Sequence, residues 1–149
     1  MNELITTDLV LLDVTVPDRA TVTRMLAERL AAAGRVSDLA GFLEDVEARE
    51  AQMATGLPGG IGIPHAQSKY VTEPTLGFAR VPQGVDFGAE DGPANLIFLI
   101  AAPDGAGADH LTILAALARR LVHQSFRDSL LSAAGPEAVV DIVLKGVIS

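Results

Sequence analysis

"GGIGIPHAQ", Gly59 to Gln67, places two glycines before a short apolar run, then a proline and a single histidine. The apolar run reads as a buried strand over Gly60–Ile63. Pro64 fixes its own φ and biases Ile63 towards extended geometry, which restricts how the chain leaves the strand. The segment therefore carries one imidazole, His65, to a strand end, where α/β domains tend to place their sites. Gly59, Gly60 and Gly62 let other backbone or a partner surface come close. The bland alternative is an ordinary strand-to-loop exit with no chemistry.

Outward from this stretch the chain divides by period. "LVLLDVTV" (Leu9–Val16) reads as a first buried strand. A helix opened by Pro17 and Asp18 follows, with Val22, Met25, Leu26, Leu30 and Ala33 at helical spacing and Gly34 closing it. A second helix after Ser37 lines one face with Leu39, Phe42, Leu43, Val46 and Met53. Beyond "GIGI", strands are expected over Thr75–Val81 and Asn95–Ala102, separated by Gly- and Pro-rich turns. From His110 the period is helical again, with Leu111, Leu114, Ala115, Ala118, Leu121 and Val122 on one stripe. Two shorter helices are expected near Ser125–Ala133 and Pro136–Lys145. The order β-α-α-β-β-β-α-α-α predicts one α/β domain over 1–149, a mixed parallel and antiparallel sheet of four to five strands in a three-layer arrangement with helices.

Composition removes several functions. The chain has 149 residues and no cysteine, which excludes disulfides, zinc–thiolate sites and thiol nucleophiles. Nineteen acids against eleven bases give a formal charge of −8, the wrong sign for binding phosphate backbones. No apolar run is long enough to span a bilayer, and the start lacks the pattern of a signal peptide. A soluble cytoplasmic protein is expected, without direct membrane insertion and without nucleic acid as a partner.

Three histidines, His65, His110 and His123, are the candidates for chemistry. His110 follows Asp109 at a helix start, where N–H groups and the dipole favour anions; an imidazole there suits a phosphoryl group, or is incidental beside an Asp109 N-cap. His123 comes thirteen positions later, on nearly the opposite side of one helix at about 100° per residue, and reads as a surface residue. Arg49, late in the second helix, either serves the helix end or leans across a strand end as a phosphate partner. The chain has no HExxH, no Walker loop and no serine elbow, so no metal and no cofactor are expected.

"EAREAQMATGLPGGIGIPHA" together with "GVDFGAEDGPANLIFLIAAPDGAGADHLTILAALAR" resembles the enzyme IIA domain of the phosphoenolpyruvate-dependent sugar phosphotransferase system, fructose/mannitol class (type 2). The Arg-Glu, Thr-Gly, Ile-Pro-His and His-Leu elements stand in the order and spacing of that family. The resemblance implies that His65 accepts a phosphoryl group from the histidine phosphocarrier protein, on Nε2. It also implies passage to a cysteine of a IIB domain, which phosphorylates a sugar, here of fructose type, as the membrane IIC permease transports it. His110 and Arg49 match the second active-site histidine and the arginine. IIB and IIC would be separate proteins. Where many members have Gly-Asn-Gly, this chain has Pro58-Gly59-Gly60. Gly59, Gly60, Ile61, Ala66 and Leu111 are expected to form the docking patch around an imidazole held out towards partners. A regulatory IIA-like protein of the nitrogen type and a non-phosphorylated binding module are the alternatives.

Overall fold

The computed structural model describes residues 4–105 and 108–147; the side chains of 108–111 are outside that description. Among the described residues the α-helices are α1 (Arg19–Ala32), α2 (Leu39–Gln52), α3 (Ala108–Leu121), α4 (Gln124–Leu131) and α5 (Pro136–Val147). The strands are β1 (Val10–Leu11), β2 (Gly56–Leu57), β3 (Ile61–Gly62), β4 (His65–Ser68), β5 (Thr75–Val85) and β6 (Ala94–Pro103). The sheet is mixed, in the order β1-β5-β6-β3-β2, with β4 also on β6.

Its spine is the antiparallel pair β5–β6, where Phe78 lies opposite Phe98 with ring centroids 4.9 Å apart. β6 is buried along nearly its whole length, as a strand covered on both faces must be. Neighbouring residues of β5 show the two covers. Leu26 and Leu30 of α1 pack over Gly77. Arg80 points the other way and donates to the carbonyls of Leu130 and Ala133 at the end of α4. The Asp18 carboxylate caps α1 by accepting from the Thr21 N–H at 2.8 Å, and Asp38 caps α2 through the Gly41 N–H.

Several expectations change. The sheet has six strands among the described residues, not four to five, because two- to four-residue strands are too short to show a period. The first strand shrinks to Val10–Leu11 after a 3-10 turn over Thr7–Leu9. β5 runs past Val81 to Val85, through an irregularity between Arg80 and Val85 that absorbs Pro82 and Gly84. Met53 is 69% exposed and Val122 73% exposed, so neither belongs to the apolar stripe assigned to it. Both sit just past the end of their helix, where the helical phase no longer governs direction.

The opening segment is the most informative correction. β3 and β4 run parallel to β6 in one unbroken register: Ile61 pairs with Leu96, Gly62 with Ile97, His65 with Ile100 and Ala66 with Ala101. Pro64 has no N–H, so the ladder loses a rung there, although its carbonyl still accepts from Ile100 N–H at 3.0 Å. His65 therefore begins a strand and does not end one. Gly59 and Gly60 have φ of +98° and +80° and make the turn between β2 and β3, tied by Gly59 N–H to Asp91. Gly62 is needed for closeness: a Cβ there would lie 2.6 Å from the Phe87 ring. Gly62→Ala is expected to lower stability by about 1–3 kcal/mol through overpacking, read as a lower urea midpoint for unfolding.

Candidate active site

His65 is nearly buried, 8% exposed, because β4 pairs with β6 on one edge and packs under α2. It is not held out from the surface as expected. Nδ1 lies 2.8 Å from the carbonyl oxygen of Ile63. A carbonyl oxygen only accepts, so Nδ1 carries the proton and donates it, and the neutral ring keeps its lone pair on Nε2. Burial is the largest influence on this imidazole and pushes its pKa below the ordinary 6.5. The Ile63 bond acts upward, the Arg49 charge downward and the Glu50 charge upward.

Arg49, in the last turn of α2, donates from Nη1 to the Met53 carbonyl at 3.0 Å. It shares with His65 a cleft of about 360 Å³, walled also by Asp45, Gln52 and Gln67. Sequence distance gave no guarantee of this meeting; the packing of α2 over β4 produces it. His110 lies in the first turn of α3, and its side chain, like that of Leu111, falls outside the described residues. His123 stands beyond the far end of α3, exposed, at the N-cap position of α4. Of the expected docking patch, Ile61 and Ala66 are buried in the sheet, whereas Gly59 is exposed. No group of three or more His, Cys, Asp or Glu among the described residues could hold a metal ion. No helix among them is long and apolar enough to cross a membrane.

Other residues join the site that periodicity did not single out. Glu50 accepts from Thr55 at both oxygens, from N–H at 2.8 Å and from Oγ1 at 2.7 Å. Asp45 accepts from Ser68 Oγ at 2.6 Å and so ties α2 to the end of β4. Their signal lay in residue type alone: two acids on the helix that also carries Arg49, and a threonine just after it. A nearly buried histidine of fixed tautomer that shares an open cleft with an arginine sets a neutral nucleophile near a cation, a pairing that suits an anionic group.

Residues 3–146 match the family described as "Phosphoenolpyruvate-dependent sugar phosphotransferase system, EIIA 2". The chain belongs to this family. This EIIA chain is 45% identical over 116 residues to the "PTS system fructose-specific EIIA component" of Haloferax volcanii, covering 77% of this chain and 75% of that one. Over 144 residues it is 35% identical to the "PTS system fructose-specific EIIABC component" of Bacillus subtilis. That match takes in 96% of this chain but only 23% of the relative. In structure it is similar to the nitrogen regulatory protein IIA-Ntr of Neisseria meningitidis, with a TM-score of 0.87, 30% identity, and coverage of 94% of this chain and 96% of that one. The mannitol enzyme IIA of Escherichia coli, solved in complex with phosphorylated enzyme IIB, shares the fold at a TM-score of 0.80 and 22% identity, covering 95% of this chain and 99% of that one.

The electrostatics of His65 give two measurable consequences. Its ring is expected to titrate by NMR with a midpoint below 6.5, and Arg49→Gln is expected to raise that midpoint, since the guanidinium acts to lower it. A base whose folded pKa is lowered binds protons more readily when unfolded, so it costs stability as pH falls from 6.5 through the folded value. The fall in urea midpoint over that range is expected to shrink in His65→Gln.

Proposed function

We propose that this EIIA chain is a phosphoryl carrier that accepts the group on His65 Nε2 from the histidine phosphocarrier protein and passes it to the cysteine of a IIB domain. The observation that carries this reading is the bond from His65 Nδ1–H to the Ile63 carbonyl, which commits the proton to one nitrogen and the lone pair to the other. In the first step the Nε2 lone pair attacks phosphorus of the donor's phosphohistidine. The new N–P bond forms as the donor's N–P bond breaks, and the donor imidazole leaves with that electron pair. The proton on Nδ1 stays in place, and the positive charge that develops on the ring is met by the Ile63 carbonyl. In the second step a thiolate of IIB forms the S–P bond while the electron pair of the N–P bond returns to Nε2. No proton need move at His65 in either direction, so one side chain both takes and gives the group.

Arg49 supplies a charge-assisted hydrogen bond to a phosphoryl oxygen. His110, in the first turn of α3, orients the group and neutralises part of its charge, beside backbone N–H groups that favour anions. The fructose-specific relatives support fructose as the sugar delivered, through IIB, to a membrane IIC permease. The likeness to a nitrogen regulatory IIA supports a second reading, in which the same phosphohistidine governs binding to other proteins and no sugar is delivered. Co-purification with a IIB cysteine domain separates the two.

The test is intact-protein mass spectrometry at mildly alkaline pH, with phosphoenolpyruvate, enzyme I and the phosphocarrier of the source organism. One acid-labile phosphoryl group is expected on the wild type and none on His65→Ala. Arg49→Ala is expected to slow transfer about 100-fold, and His110→Ala to slow it as well. No added group from a phosphocarrier shown to be charged would overturn the reading.

A further inference from the structure

The Ile63 carbonyl is available to His65 for a reason that lies in the β2–β3 hairpin. Gly56 pairs with Gly62 and Leu57 with Ile61, so Thr55 and Ile63 stand opposite each other as the next pair. Ile63 N–H donates to the Thr55 carbonyl at 3.1 Å, which makes this a hydrogen-bonded position of the antiparallel ladder. In a regular pair of that kind Thr55 N–H would donate back to the Ile63 carbonyl. Here Thr55 N–H is turned to Glu50 Oε2 at 2.8 Å, and its hydroxyl to Glu50 Oε1 at 2.7 Å. The Ile63 carbonyl accepts from His65 Nδ1 at 2.8 Å instead.

On one side this arrangement borders open space. Glu50 and Pro64 line a cavity of about 290 Å³ shared with Arg19, Thr23 and Phe87. That side offers no atoms to pack on, so hydrogen bonds help to hold the segment there. Thr55 itself is buried, and burial strengthens those bonds and penalises their loss.

We propose that Glu50 and Thr55 are positioning residues: Glu50 withdraws the Thr55 N–H from the ladder, and the carbonyl thereby released keeps the proton of His65 on Nδ1 and the lone pair on Nε2. Its importance for transfer rests on the carrier reading; the geometry does not. Glu50 acts on the ring through its charge too. Among the described residues, the charged groups near the ring include Asp45, Arg49 and Glu50, all from α2, with Asp45 engaged by Ser68; the first side chains of α3 lie outside the described residues.

The experiment uses long-range proton–nitrogen NMR of the His65 ring in the unphosphorylated protein. Glu50→Leu keeps much of the bulk but removes both acceptor oxygens, so the Thr55 N–H and the Thr55 hydroxyl both lose their partner. Thr55→Val removes the hydroxyl bond, and Thr55→Ser restores it. The wild type is expected to show the Nδ1–H tautomer alone. Glu50→Leu and Thr55→Val are expected to show both tautomers, with a lower titration midpoint in Glu50→Leu, where the negative charge is lost, and phosphoryl transfer about tenfold slower. Thr55→Ser is expected to match the wild type. Folded Glu50→Leu or Thr55→Val with the wild-type tautomer would overturn the proposal and leave the carrier reading intact. Tautomer shifts in a protein whose wild type accepts no phosphoryl group would support the positioning and remove the carrier reading. Should one variant fail to fold, the other decides against Thr55→Ser.

Discussion

Between Thr55 and Ile63 the antiparallel ladder makes one hydrogen bond where a regular pair makes two, and the carbonyl left over is the one that His65 uses. The rest of the site follows from that half-made pair. Pro64 breaks the neighbouring ladder to β6 without shifting its register, so His65 enters β4 with its ring close to the peptide two residues back. α2 then covers the segment and supplies Arg49 to the cleft and Glu50 to Thr55. A sheet defect one residue long becomes a fixed tautomer.

The two neighbours on α2 pull the imidazole in opposite directions, Arg49 towards a lower pKa and Glu50 towards a higher one. Burial outweighs both and leaves the ring neutral at ordinary pH, the state in which Nε2 is a nucleophile. Under the proposed carrier role the balance would change on phosphorylation: Arg49 would face an added anion, and the Ile63 carbonyl a more cationic ring. On that proposal the same fixed groups would serve both forms without a large rearrangement, which is what electrostatic preorganisation requires.

Much of the fold was legible because its signals are local. Asp18 caps the helix that it was expected to open, and the apolar run from Asn95 to Ala102 falls within the buried strand β6. Where the expectations failed, a tertiary contact decided. Ile61 and Ala66 look like surface candidates beside a histidine, yet β6 claims both. Met53 and Val122 continue a helical stripe on paper, but the helices stop just before them. The motif and the family resemblance single out His65 and Arg49, and one cleft brings the two together. Glu50 and Thr55 stand in the same pattern, but what they do depends on a hairpin register that no periodicity reveals.

The most direct test of this account is the site of phosphorylation on the ring itself. In protein labelled with ¹⁵N at histidine and phosphorylated through the phosphocarrier, nitrogen–phosphorus coupling identifies the bonded nitrogen of His65. The account predicts phosphorus on Nε2 with the Nδ1 proton still present and hydrogen-bonded. Phosphorus on Nδ1 would mean that the Ile63 carbonyl does not hold that proton, and would contradict it.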